Sequence, residues 1–220
     1  MGYWKLQMKC PLCLDQSTSF YHADNKREYW QCRCCDLVFV PEKYWLSTEQ
    51  EKAEYDLHQN DVGDPGYRKF LSRLVEPLQQ NIPNGCSGLD FGCGPGPALS
   101  TMLKETGYQM DVYDPYYFSD ESVFDKKYDF ITATEVIEHI NSPNEVLPTI
   151  LEMLTPGGSL GLMTKMVIDK EAFSKWHYKN DMTHVCFYSK ATFEYLARKF
   201  GMQVLFYEND VILLQKLCNK

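Results

Sequence analysis

The sequence predicts an α/β fold: a doubly wound, mostly parallel sheet with a C-terminal antiparallel hairpin, preceded by a small cysteine-rich module. Three observations predict it. From Gly85 onward, short β-like runs alternate with amphipathic helical stripes, the pattern of parallel strands joined by crossover helices. A glycine-rich turn, Gly92-Cys93-Gly94-Pro95-Gly96, joins the first such run to the first such stripe. Five of the nine cysteines (Cys10, Cys13, Cys32, Cys34 and Cys35) fall near the N-terminus, where four of them form two C-x2-C pairs.

The 220 residues suffice for one such domain plus something small. With 22 Lys+Arg against 30 Asp+Glu, the net charge of −8 argues against a surface built to meet nucleic acid and favours small-molecule partners. Met1–Cys10 shows no basic stretch followed by an apolar one, and no apolar run reaches membrane-spanning length. The expectation is a cytoplasmic protein with reduced thiols and no membrane segment.

Taken in order, Cys10-Pro11-Leu12-Cys13 and Cys32-Arg33-Cys34-Cys35 give two C-x2-C pairs with an 18-residue spacer. Two tight knuckles at that spacing present four thiolates tetrahedrally to a metal ion. The predicted ligands are Cys10, Cys13, Cys32 and Cys35; Cys35 is preferred to Cys34 because only it leaves two residues after Cys32. Zinc is expected, with iron as the rival and reduced packing cysteines as the metal-free reading. Four thiolates leave no open position, so the metal would be structural. Tyr21, Tyr29 and Trp30 in the spacer suit the β-hairpin of a zinc ribbon, assigned to residues 1–43. A module of about 40 residues rarely folds on its apolar core alone, whereas structural zinc supplies roughly 10–16 kcal/mol.

Residues 44–84 read as a helical connector or lid. Ser47–Asp64 is polar. After Asp64-Pro65-Gly66 a helix is marked by Leu71, Leu74, Val75 and Leu78, and Pro83-Asn84-Gly85 ends it. Tyr55, His58 and Asn60 either close over a downstream pocket or form a solvated linker face.

Residues 85–220 carry the sheet domain. Leu89-Asp90-Phe91 is its first strand, Leu99, Met102 and Leu103 mark the following helix, and Met110–Tyr113 is the second strand, closed by Asp114. Phe130–Ala133 is the next strand. Ser142-Pro143-Asn144-Glu145 reads as a capping box before a helix carrying Leu147, Ile150, Leu151 and Leu154. Pro156-Gly157-Gly158 stops that helix before a strand at Ser159–Lys165. A last helix with Phe193, Leu196, Ala197 and Phe200 leads through Gly201 into Gln203–Tyr207, and Asn209-Asp210 turns the chain back into Val211–Gln215.

The glycine turn carries most of the functional information. Glycines let the backbone approach a ligand, and the free N–H groups of the following helix face it. Asp114 lies 24 positions after Asp90, where a carboxylate can accept ribose hydroxyls or merely cap a turn. The glycines run G-x-G-x-G rather than the dinucleotide G-x-G-x-x-G.

With these residues in view, the sequence resembles the class I S-adenosylmethionine-dependent methyltransferases over most of Gly85–Lys216. LDFGCGPG at 89–96 is similar to their first motif, YDP at 113–115 to their acidic ribose-binding motif, YDFITATEVIEHI at 128–140 to the fourth-strand segment, and LTPGG at 154–158 to the turn before strand five. The resemblance implies a methyltransferase Rossmann-like fold in which Gly92 and Gly94 line the methionine part of the cofactor. It further implies that Asp90 supports the amino group, Asp114 holds the ribose and Glu135 lies near the cofactor. One departure stands out: only 14 residues separate Asp114 from Asp129, so the third-strand unit is truncated or missing. Tyr116, Tyr117 or Phe118 then replaces the usual adenine contact.

Methyl transfer needs an aligned nucleophile and, where that nucleophile must lose a proton, a base. The long segment Asp169–Tyr188 holds Trp176, His177, Tyr178, Asp181 and His184 and suits a lid. His184, before Phe187-Tyr188-Ser189, resembles a histidine of one methyltransferase subgroup and is the first candidate for base or substrate anchor; His139, after the fourth strand, is the second. Each could instead hold a backbone carbonyl or cap a helix. Glu138 reads as a helix residue and Cys93 as a small filler.

The expectation is S-adenosylmethionine-dependent methyl transfer to a small-molecule acceptor, with structural zinc. Some deoxysugar C-methyltransferases share this layout, and quinone-like or other acceptors stay open. The rivals are a nicotinamide oxidoreductase and a cofactor-fold protein that docks a partner or RNA through its ribbon. Oligomeric state is not legible.

Overall fold

A computed structural model describes residues 8–57, 61–207 and 210–217. His58 and Asn60 of the connector, and Asn209 of the C-terminal turn, lie outside the described residues. Among the described residues no helix is long and apolar enough to cross a membrane.

The main sheet is built from β4 (Ser87–Phe91), β5 (Gln109–Tyr113), β6 (Tyr128–Thr134), β7 (Leu154–Met163), β9 (Met202–Tyr207) and β10 (Val211–Lys216), in the order β5-β4-β6-β7-β10-β9. The first four are parallel, and β10 runs antiparallel to both β7 and β9. This is the doubly wound, mostly parallel sheet with its C-terminal hairpin. No strand forms between β5 and β6; a short helical turn at Glu121–Asp125 fills the gap and leaves β5 at the edge. The third-strand unit is indeed absent.

Alternation along the strands divides the core. Leu89, Ile131, Ala133, Leu160, Leu162, Ile212 and Leu214 face one side, while Phe130, Met163, Val211 and Leu213 face the other. Against the second set lie α2 (Pro65–Asn81) and α3 (Ala98–Glu105); the buried stripe of α2 is Leu71, Leu74, Val75 and Leu78, as its periodicity predicted. Of the three α3 residues expected inward, Leu99 and Leu103 are buried and Met102 is partly exposed. Against the first set lie α4 (Pro143–Met153) and α6 (Lys190–Phe200), with the short α5 (Lys170–Ser174) between them in the chain. Ser189 and Thr192 form a capping box on α6, and Gly201 ends it at φ 62°.

The start of α4 corrects an expectation. Ser142 makes no side-chain cap; the Asn144 amide donates instead to the Pro11 carbonyl at 3.2 Å. The first cysteine knuckle thus supplies the acceptor a capping box would have supplied. β7 also begins earlier than expected, at Leu154, directly behind α4 and through Pro156-Gly157-Gly158.

The N-terminal strands β1 (Thr18–Ala23), β2 (Glu28–Cys32) and β3 (Val38–Phe39) form an antiparallel ribbon. Its sheet does not end there. β3 pairs with β8 (Cys186–Phe187), from the segment after β7, and the Val40 amide donates to the Val185 carbonyl at 2.9 Å. Tyr21, Tyr29, Leu37 and Phe39 join the same apolar cluster as the α4 face of the main sheet. A ribbon too small to bury its own core shares one with the sheet domain. The connector contributes α1 (Thr48–Tyr55), capped by Ser47 and Gln50.

Candidate active site

The carboxyl ends of β4, β5 and β6 open into a cavity of about 670 Å³, within the range of small-molecule sites. At its head Asp90 is buried, accepts from the Thr132 hydroxyl at 2.9 Å, and is pushed by burial up to about 6. Gly92 follows at φ 73° and Gly94 at φ 63°, left-handed conformations that favour glycine. A side chain at Gly92 would lie 2.5 Å from Val136 Cγ2, so the chain passes there with no room for one.

Asp114 is buried and accepts three backbone N–H groups: Gly94 at 3.0 Å on Oδ2, and Tyr116 and Tyr117 at 2.9 and 3.2 Å on Oδ1. It ties the glycine turn to the turn after β5 and still lines the cavity. Tyr116 and Tyr117 line it too; Phe118 faces a separate surface hollow beside β5. From the connector, Tyr55 packs against Tyr116 and His139 with ring centroids 5.6 and 5.4 Å apart, and Glu51 accepts from the Tyr116 hydroxyl at 3.2 Å.

Glu135 stands just past β6 with φ 53°, outside the range a non-glycine residue ordinarily adopts. Its Oε2 accepts from the Tyr178 hydroxyl at 3.1 Å, while its buried Oε1 has no hydrogen-bond partner. Burial raises its pKa. Tyr178 also bonds Glu138, which is fully buried in a turn rather than a helix, and whose carboxyl is driven up to about 8 by burial and by Glu135.

His184 is buried and lines the cavity. Its Nδ1 lies 2.8 Å from the Tyr178 carbonyl, which can only accept, so Nδ1 carries the proton and Nε2 is left as the basic nitrogen. Burial lowers its pKa, favouring the neutral ring at pH 7. Asp181 Oδ2 lies 3.8 Å from Nε2. Burial works against the Asp181 charge, but hydrogen bonds from Thr183 and the neighbouring His184 hold its pKa below the usual range. His139 lies edge-on to His184, centroids 4.6 Å apart. His177, by contrast, is exposed and does not line the cavity.

Among the described residues, two donor sets are spaced for metal. Glu138, His139 and His184 offer ligand atoms within 4.8 Å of one another, with the buried Glu138 carboxyl already bonded to the Tyr178 hydroxyl. The sulfurs of Cys10, Cys13, Cys32 and Cys35 also lie within 4.8 Å, with Cys10–Cys35 at 3.5 Å and Cys13–Cys32 at 3.4 Å. Tetrahedral zinc–thiolate bonds of about 2.3 Å would space the sulfurs by roughly 3.8 Å, so this set fits. The two knuckles repeat one backbone pattern. Leu14 and Asp36 donate to the Cys10 and Cys32 carbonyls, both at 3.0 Å, and both adopt positive φ. Cys34 is exposed and lies outside the cluster.

A model of the methyltransferase domain matches residues 64–206. The chain belongs to the methyltransferase domain family. The ubiquinone biosynthesis O-methyltransferases of Escherichia coli O127:H6 and Klebsiella pneumoniae are 27% identical over 78 residues, 36% of this chain and 32% of each relative. The match therefore spans about a third of those relatives. The 1,6-didemethyltoxoflavin-N1-methyltransferase of Burkholderia thailandensis, solved with 1,6-didemethyltoxoflavin and S-adenosylhomocysteine, superposes with a TM-score of 0.53 at 12% identity, covering 90% of this chain and 99% of that one. The magnesium protoporphyrin IX methyltransferase of Synechocystis PCC 6803, solved with S-adenosylhomocysteine, gives 0.51 at 13%, covering 79% and 96%. The fold is that of the class I S-adenosylmethionine-dependent methyltransferases.

Cavity and motifs coincide: Asp90, Gly92, Gly94, Asp114, Glu135, His139 and His184 all line one space. Sequence reasoning missed two participants. Glu138 was hidden because nothing in its spacing marks a fully buried carboxyl. Arg27, counted only as a charge, proves to be 2% exposed and to reach the segment that carries His184.

Proposed function

We propose that this protein transfers a methyl group from S-adenosylmethionine to a small-molecule acceptor, with His184 taking the acceptor's proton. The observation that carries the reading is His184 itself: buried, favoured in its neutral form, fixed in one tautomer, and set beside Asp181 in the cavity headed by the glycine turn. When bound, S-adenosylmethionine supplies an electrophilic methyl on a sulfonium. Gly92 and Gly94 admit the methionine part, Asp90 and Glu135 offer carboxyl oxygens to its amino group, and Asp114 faces the ribose. The orphaned Glu135 Oε1 fits a ligand that brings its own donor. Tyr116 and Tyr117 cover the adenine side, and Tyr55, with His139, screens the acceptor from water. As His184 Nε2 gains a proton, Asp181 stabilises the imidazolium.

The remaining assignments complete the reading. Residues 1–43 form a zinc ribbon held by Cys10, Cys13, Cys32 and Cys35, residues 44–84 the lid, and residues 85–220 the catalytic domain. A reduced thiolate site suits the cytoplasm. To test the function, methyl-labelled S-adenosylmethionine is incubated with the enzyme and a cell extract. Label is expected in the small-molecule fraction and is lost with His184→Gln. Label in the protein or RNA fraction would overturn the small-molecule reading.

A further inference from the structure

We propose that Arg27, on the turn of the cysteine-bearing hairpin, is a positioning residue for methyl transfer: it holds the 179–182 turn in the shape that presents Asp181 and His184 to the cavity. The proposal rests on the reading of His184 as the base.

Arg27 is 2% exposed, and its two terminal nitrogens are spent on main-chain oxygen. Nη2 donates to the Lys179 and Asp181 carbonyls at 2.7 and 2.6 Å, and Nη1 to the Met182 carbonyl at 3.1 Å. Nε donates to the Tyr29 hydroxyl at 3.0 Å, which in turn donates to Asp24 Oδ2 at 2.9 Å. Lys179 Nζ closes the ring onto the same Asp24 oxygen at 3.3 Å. Three carbonyls from four consecutive residues therefore converge on one planar fork. Carbonyl dipoles aimed at one point repel each other unless a cation sits there, and a guanidinium is the side chain whose several N–H groups match that arrangement.

The turn so held is the one the candidate base depends on. His184 takes its tautomer from the Tyr178 carbonyl, one residue before the clamp, and Asp181, whose carboxylate faces Nε2, is a clamped residue. On the far side the segment is fastened again by Val40 to Val185 and by β3 pairing with β8. The ribbon thus grips both ends of the stretch that bears His184. The positive charge of Arg27 also helps to keep the ring neutral.

The test uses 15N-histidine-labelled protein saturated with S-adenosylhomocysteine, with the His184 signals assigned by their loss in His184→Gln. The wild type should show a single Nδ1–H tautomer and a pKa below the ordinary histidine value. Arg27→Met should mix the tautomers and raise the pKa, with S-adenosylhomocysteine affinity unchanged. Arg27→Lys keeps the charge but not the fork, so it should restore the pKa and leave the tautomers mixed. Should Arg27→Met fail to fold, Tyr29→Phe, which removes the acceptor of Nε but keeps the Arg27 charge, should mix the tautomers to a smaller extent and leave the pKa unchanged. A wild-type His184 spectrum in the folded Arg27 or Tyr29 variant overturns the proposal. Undiminished labelling of acceptor by His184→Gln removes instead the base reading on which it rests.

Discussion

Gly92→Ala shows how tightly the glycine turn is built. The new methyl would sit 2.5 Å from Val136 Cγ2 and 2.8 Å from Cγ1, on a backbone held at φ 73°. The left-handed conformation costs an alanine about 1–2 kcal/mol, and forcing a methyl into filled space adds about 1–3 kcal/mol. The sum is about 2–5 kcal/mol, a large part of an ordinary domain's stability. Gly107→Ala is the control: it has φ 96° but nothing within 4 Å, so only the conformational cost of about 1–2 kcal/mol applies. The double variant Gly92→Ala, Val136→Ala removes both clashing atoms and should fall back toward that control. The assay is urea unfolding of all three, followed by calorimetry with S-adenosylhomocysteine, whose binding should weaken because a displaced Val136 intrudes on the cavity it lines. A Gly92→Ala stability within about 0.5 kcal/mol of wild type would refute the close-passage argument.

Other perturbations follow from the same geometry. Asp90 keeps its proton to about pH 6 when folded, against an ordinary aspartate value of 3.8, so the ligand-free protein loses stability as pH rises from about 4 to 6; at 1.36 kcal/mol per unit this penalty reaches about 3 kcal/mol. Asp90→Asn should remove that slope in pH-dependent urea unfolding while weakening S-adenosylhomocysteine binding; an unchanged slope counts against the buried acid. Glu135→Gln should weaken S-adenosylhomocysteine roughly 10- to 100-fold in calorimetry, the worth of a hydrogen bond to a charged group; unchanged affinity would place Glu135 away from the cofactor. Elemental analysis should find one equivalent of metal in the wild type and a deficit in Cys35→Ser, whose 177–188 amides should exchange faster; full occupancy by the variant contradicts the four-thiolate site.

Much of this was legible in the chain because the decisive signals are local. The α2 stripe, the glycine turn and the short passage from Asp114 to Asp129 each follow from spacing along one segment, and each is found as read. What was not legible depends on contacts between distant segments. Ser142 looks like a cap until Pro11 takes its place, and Glu138 reads as a helix residue until Tyr178 and the fold enclose it in a turn. Arg27 shows the same limit most plainly, since no periodicity links it to carbonyls more than 150 positions away. The ribbon's share in the main core has the same origin: β3 pairs with β8, a strand far downstream in the chain.

The most direct measurement is a calorimetric titration of the 220-residue protein with S-adenosylhomocysteine, repeated with NADH. The geometry of the glycine turn, Asp114 and Glu135 predicts one-to-one binding of S-adenosylhomocysteine, displaced by S-adenosylmethionine, and silence with NADH. Binding of NADH without S-adenosylhomocysteine, or binding of neither, would contradict it.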